Sequence, residues 1–276
     1  MKAEAALRCN VRGEGQSIKV VFDHEKAATV NSAMVDGGKK FDLFVKNTAA
    51  EGTTFSNTVD ITSATIEAGT KATFTNASVT VDDILVKAAA QLSFSGVESL
   101  SVASLETNDG SSVTVGTIEN HAGKVLTVTN QATFNGGTIN ADLKLADGAK
   151  VAFNGTVEMG STLTLGTNLT LSGTKLEEIK SLTSVSQTVV LFTGVDTLTL
   201  GEQSFSMAEN QVLTASDNVT LSRYFTTEDD TNLNNYFLGF NAAGELYAGL
   251  VVPEPATATL SLLALAGLCA RRRRKS

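Results

Sequence analysis

Apolar and polar residues alternate with a period of two through much of this chain. Val59 and Ile61 flank Asp60, Val79 and Val81 flank Thr80, Leu100 and Val102 flank Ser101, Val157 and Met159 flank Glu158, and Leu198 and Leu200 flank Thr199. That period predicts strands whose apolar members turn to a core and whose Asp, Thr, Ser and Glu members face water. Ahead of these segments stands a phenylalanine or its substitute, followed two positions later by Asn or Gly. The pairs are Phe55/Asn57, Phe74/Asn76, Phe94/Gly96, Thr114/Gly116, Phe134/Gly136, Phe153/Gly155, Leu171/Gly173 and Phe192/Gly194. Successive Asn/Gly positions are 19, 20, 20, 20, 19, 18 and 21 residues apart. A period near 20 is that of a solenoid.

The marker has a physical rationale. Asn and Gly take positive φ most readily, and a coil that turns at the same place on every circuit needs such a residue there. A second strand precedes the marker, as in Gly69–Phe74 and Gly148–Phe153, each with a glycine five residues before the ring. The expected fold is therefore all-β, a parallel β-solenoid over residues 51–200, with the phenylalanines in one axial column. Seven intervals at about 4.8 Å per coil give a rod about 34 Å long. The competing arrangement is a sandwich or open sheet with regularly spaced turns, and Lys175–Leu182 reads equally well as a short helix.

The ends differ from the middle. Residues 1–50 read as an irregular β region, with strands near Ser17–Phe22 and Phe41–Lys46. A solenoid's last coil exposes strand edges that need cover, and residues 201–252 supply the material. All three tyrosines (Tyr224, Tyr236, Tyr247) and Phe205, Phe225, Phe237 and Phe240 lie there. Asn235–Phe240, a turn at Asn241–Gly244 and Glu245–Val252 predict a closing hairpin.

Composition narrows the function. With 18% charged residues, 6% aromatic residues and no tryptophan among 276, the chain has a β-rich extracellular character. Its net charge is −8; without the basic residues Arg271–Lys275 and Glu254, 16 Lys+Arg face 28 Asp+Glu. Such a body repels phosphate backbones, which argues against nucleic acid as a partner. Cys9 and Cys269 make no metal-ligand or redox spacing, and stability must come from packing and backbone pairing.

The last 24 residues, 253–276, are of another kind. Val252, Pro253, Glu254 and Pro255 precede an apolar run, Ala256–Ala270, that includes Leu260, Leu262, Leu263, Leu265 and Leu268. Arg271, Arg272, Arg273, Arg274 and Lys275 follow. As a helix the 15-residue run would span about 22 Å, a short transmembrane anchor that needs snorkelling arginines to reach both interfaces. The basic block would stay cytoplasmic and residues 1–252 would lie across the membrane. The three parts, in this order, resemble the PEP-CTERM sorting signal of Gram-negative bacteria. The resemblance implies export, transient inner-membrane anchoring, processing by the membrane transpeptidase exosortase, and delivery to the cell surface, outer membrane or matrix. The body resembles autotransporter-style passenger domains in its Gly/Asn/Thr-rich repeats. Residues 1–22 hold no apolar stretch suited to a signal peptide, so a leader is expected upstream of Met1.

Catalytic chemistry has little support. His24 lies in Asp23-His24-Glu25-Lys26 and His121 in a turn, Asn120–Gly123, with no nucleophile or second ligand spaced to join either. The pairs Asp82-Asp83, Glu177-Glu178 and Asp229-Asp230 would send neighbouring side chains to opposite strand faces, which suits solvated surface better than a glycosidase pair or calcium site. The expectation is a non-enzymatic structural or adhesive surface protein without metal or cofactor. Its other partners would be exopolysaccharide or surface proteins. The alternative is a polysaccharide lyase or hydrolase on the same coil, requiring carboxylates from consecutive turns to converge in one groove.

Overall fold

The computed structural model describes residues 7–10, 18–35 and 41–251. They form a parallel β-solenoid whose coils carry three faces. The first face stacks eight parallel strands: Ala28–Val30, Thr53–Phe55, Lys71–Phe74, Gln91–Phe94, Ser112–Val115, Thr138–Asn140, Val157–Met159 and Thr188–Thr193. Seven steps of about 4.8 Å make that stack about 34 Å long, but it starts at Ala28–Val30; from Thr53–Phe55 to Thr188–Thr193 there are six steps, one fewer than the marker spacing predicts. The second and third faces belong to one continuous sheet. In the middle coils a single bent strand supplies both, as in Val59–Ile66, Val79–Val86, Ser99–Thr107 and Val125–Phe134. In later coils they are separate strands, such as Asp142–Leu145 and Lys150–Phe153.

The bend is written in the alternation. Val81 and Ile84 are buried while Asp82 and Asp83 between them are both exposed; buried Val102 and Leu105 bracket the half-buried Ala103 and Ser104. Two successive outward residues shift the inward set by one, so each half of the strand keeps its apolar side toward the axis. The expectation that adjacent Asp82 and Asp83 point to opposite faces therefore fails, because the pair sits on a corner.

Another corner, between the third and first faces, is built alike in three consecutive coils. Gly69, Ala89 and Gly110 hold φ of 69°, 56° and 65°. Gly69 N–H donates to Ala88 C=O at 3.1 Å and Ala89 N–H to Asp109 C=O at 3.0 Å, continuing the ladder through the turn. The Asn/Gly markers are less uniform than expected. Gly116, Gly136, Gly173 and Gly194 take positive φ, whereas Asn57, Asn76, Gly96 and Gly155 do not. At Gly96 the reason for glycine is close approach, since a Cβ would lie 2.2 Å from Thr75 O. Asn57 and Asn76 instead close their turns with side-chain oxygens that accept from Thr58 N at 2.7 Å and Ser78 N at 2.8 Å.

The single phenylalanine column is corrected to two. Phe55, Phe74 and Phe94 align on the first face, with centroids 4.7 and 5.1 Å apart and planes 14° apart. Phe94 then pairs with Val115, not Thr114, and the aromatic column stops there. Phe134 and Phe153 stand on the third face, in register with each other, while Phe192 returns to the first. The cause is insertion. A loop at residues 116–124 lengthens one coil and the helix Thr174–Lys180 with its following loop lengthens another. The 20-residue spacing of the rings survives these insertions only by moving from one face to another. Inside the coil Phe134, Phe153 and Phe192 still meet, with centroids 5.3–5.6 Å apart.

Antiparallel strands cap part of each end among the described residues. Leu7–Asn10 pairs with Ile18–Phe22 at one end. At the other, the predicted hairpin is present as Tyr236–Phe240 and Leu246–Leu250, with Leu246–Leu250 pairing on Thr188–Thr193. The second face ends on Gln203–Ser206, folded back on Thr197–Leu200. The third ends on Phe225–Thr226. An antiparallel last strand breaks the parallel template, which limits continued growth of the stack.

Candidate functional site

The C-terminal signal leaves the body from its capped end. Leu246–Leu250 lies between Thr188–Thr193 and Tyr236–Phe240, bonded on both edges, and Val251 N–H donates to Asn235 C=O at 2.9 Å. The backbone is thus fixed up to the residue before Val252. The sorting residues Val252, Pro253, Glu254 and Pro255, the anchor residues from Ala256 to Leu268 and the basic residues Arg271–Lys275 lie outside the described residues. Among the described residues no helix is long and apolar enough to cross a membrane.

Of the other residues singled out in the sequence, Glu177 and Asp229 come together on Lys180 and the rest lie apart. Glu177 and Glu178 sit on the helix Thr174–Lys180 and pair with Lys180 at 2.9 Å and Lys175 at 3.1 Å. Lys180 also reaches Asp229 at 2.6 Å, tying the helix to the cap. That ammonium, with the hydroxyls of Thr231 and Thr227, holds the Asp229 carboxyl well below the usual aspartate range, and the same pairing raises Lys180. Asp230 occupies a left-handed turn position at φ 54°. His24 Nδ1 lies 2.6 Å from Lys26 O within its own loop. His121 is more than a solvated loop residue: its ring nitrogens lie 2.8 Å from Ile118 O and 3.2 Å from Gly160 O, pinning the 116–124 loop against a neighbouring coil. Among the described residues no three His, Cys, Asp or Glu side chains are grouped to hold a metal ion. Cys9 lies in the first strand and Cys269 outside the described residues.

A groove of about 170 Å³ that sequence reasoning did not identify runs along the third face. Asp83 and Glu106 line it from consecutive coils, with Thr65, Leu85, Ser104 and Gln131. Recognising it required knowing which strands stack: Asp83 pairs in register with Ser63 and Ser104, and Thr65 with Leu85. The alternation marked these side chains only as outward.

Comparison with known proteins returns one match. Residues 251–275 fit the model of the PEP-CTERM protein-sorting motif. No curated protein and no solved structure matches the chain. Fold and motif together define the class, a β-solenoid bearing a C-terminal sorting signal. The signal implies an exported protein, transiently anchored in the membrane of a Gram-negative bacterium, with exosortase as its processing partner. The motif covers the tail alone, so the likeness of the body to autotransporter passengers extends no further than the solenoid architecture.

Proposed function

We propose that this chain is a non-enzymatic structural or adhesive protein of the cell surface or extracellular matrix, released from its anchor by exosortase. The sorting motif beginning at Val251, the last residue described at the capped end, carries this reading. A strand bonded on both edges fixes the chain up to Val251. Prolines lack amide donors, so the residue types of Pro253-Glu254-Pro255 disfavour both a strand ladder and a helix interior, which suits a sequence read by a processing enzyme. The solenoid adds the mechanical part: a repetitive, capped rod of parallel strands that presents long flat faces.

Cell fractionation tests it. Wild-type protein should lose the peptide containing Arg271–Lys275 and reach the surface or matrix. Replacing Pro253 and Pro255 by alanine should leave full-length protein in the inner membrane. Intact C-terminal peptides recovered from wild-type surface material would refute cleavage.

The enzymatic alternative draws on Asp83 and Glu106 lining one groove. Against it, both carboxylates accept side-chain hydrogen bonds, from Ser104 at 2.5 Å and Asn135 at 3.2 Å, and neither pairs with a basic residue. These are features of a binding surface more than of an acid–base pair.

A further inference from the structure

The third face carries two outward columns of contrasting chemistry. In one, Asp42, Ser63, Asp83 and Ser104 follow each other on successive coils. Ser63 Oγ donates to Asp42 Oδ1 at 2.6 Å and Ser104 Oγ to Asp83 Oδ1 at 2.5 Å. In the other, Phe44, Thr65, Leu85 and Glu106 follow each other, and the Phe44 ring lies under Lys19 Nζ at 3.8 Å. The groove covers the middle of these columns, from Ser63 and Thr65 to Ser104 and Glu106, and extends to Gln131. It sets the carboxylates of Asp83 and Glu106, the hydroxyls of Ser63, Thr65 and Ser104 and the amide of Gln131 around the half-buried Leu85.

We propose that this groove binds an extended, uncharged polysaccharide lying along the solenoid axis. The inference rests on the surface-protein reading and names its ligand class. A sugar ring offers the matching pair of surfaces: hydroxyl donors around its edge and a C–H face that packs on apolar side chains. Among the described residues Asp83 and Glu106 each keep a second carboxylate oxygen that accepts no side-chain bond, free for a ligand hydroxyl. A bond to an ionised acceptor is stronger than a neutral one. Charge excludes the acidic polymers. Asp83 and Glu106 face the ligand and Asp42 stands further along the same face, while the basic groups of this face are engaged: Lys150 with Glu228 at 2.9 Å, and Lys19 over Phe44. A uronate chain laid along these columns would meet like charge. A parallel solenoid suits an extended polymer because its stacked coils set polar side chains at a regular spacing along one axis, so one chain can contact several coils at once.

Affinity electrophoresis of the full chain in detergent tests this directly, with galactomannan, xyloglucan or dextran cast into native gels and alginate as the acidic comparison. At least one neutral polymer should retard the wild type, and alginate should not. Asp83→Ala and Glu106→Ala should each weaken retardation about tenfold or more, the loss of one charge-assisted bond. Leu85→Ala, which leaves every side-chain hydrogen-bonding group of the groove in place, should also weaken it by removing the apolar contact. Asp60→Ala on the second face should leave it unchanged, and circular dichroism confirms that each variant is folded. Three results would overturn the inference: no retardation by any of the neutral polymers, retardation indifferent to the groove variants, or retardation by alginate equal to or above that by the neutral polymers. Fractionation keeps the two readings separate. Protein that reaches the surface and binds no neutral glycan refutes the groove alone, whereas protein retained intact in the inner membrane refutes the sorting reading.

Discussion

A substitution series at the turns between the third and first faces measures how the coils are held. Ala89 occupies the position that Gly69 and Gly110 take in the adjacent coils, yet it adopts φ 56°. A left-handed residue with a Cβ carries about 1–2 kcal/mol of strain, and glycine would relieve it at an entropic cost of about 0.5–1 kcal/mol. Ala89→Gly should thus stabilise by about 0.5–1 kcal/mol. Gly69→Ala runs the other way. At φ 69° nothing lies within 4 Å of the added Cβ, so only conformational strain is incurred, about 1 kcal/mol. Gly52 has a similar φ of 68°, but an added Cβ would lie 2.1 Å from Lys71 O. Backbone must move there, and overpacking raises the cost of Gly52→Ala to about 3 kcal/mol. The assay is urea unfolding followed by far-UV circular dichroism. Tyrosine fluorescence would report the cap alone, because the chain has no tryptophan and its three tyrosines are Tyr224, Tyr236 and Tyr247. Coils can also unravel from one end, so the transition must first be tested for a single phase. Equal losses for Gly52→Ala and Gly69→Ala, or destabilisation by Ala89→Gly, would refute the reasoning.

Other outcomes follow from the same geometry. Phe74, 1% exposed and stacked on both Phe55 and Phe94, should cost about 3–5 kcal/mol as Phe74→Ala; the urea midpoint should fall sharply, while Phe74→Leu loses less by leaving a smaller cavity. The Lys180–Asp229 tie should be pH-dependent: because the Asp229 carboxyl is depressed, its contribution is present above the ordinary aspartate value of about 4 and disappears as pH falls through the depressed one. Asp229→Asn should therefore lower hydrogen-exchange protection of Thr174–Lys180 at neutral pH and flatten its acid dependence. The contact is solvent-exposed, so the change should be local and should shrink in high salt.

Much of this protein is legible without coordinates because a solenoid is built from local periodicities. Inward and outward positions follow from period two, the coil length from the near-20-residue spacing, and the closing hairpin from two apolar runs around Asn241–Gly244. The sorting signal is legible for another reason: it is read as a linear segment, so its proline, apolar and arginine parts need no partner elsewhere in the chain. Which residues become neighbours is a different matter. The same ring spacing places Phe74 on the first face and Phe134 on the third, since the insertion at residues 116–124 changes the phase, and the one around the helix Thr174–Lys180 brings Phe192 back to the first. Asp82 and Asp83 look like a strand pair and are a corner, because only the bend between faces turns both outward. The groove of Asp83, Leu85 and Glu106 exists solely through inter-coil register, a long-range property: residues about 20 apart in the chain come about 4.8 Å apart in space when backbone ladders stack, and no local pattern records which side chain meets which.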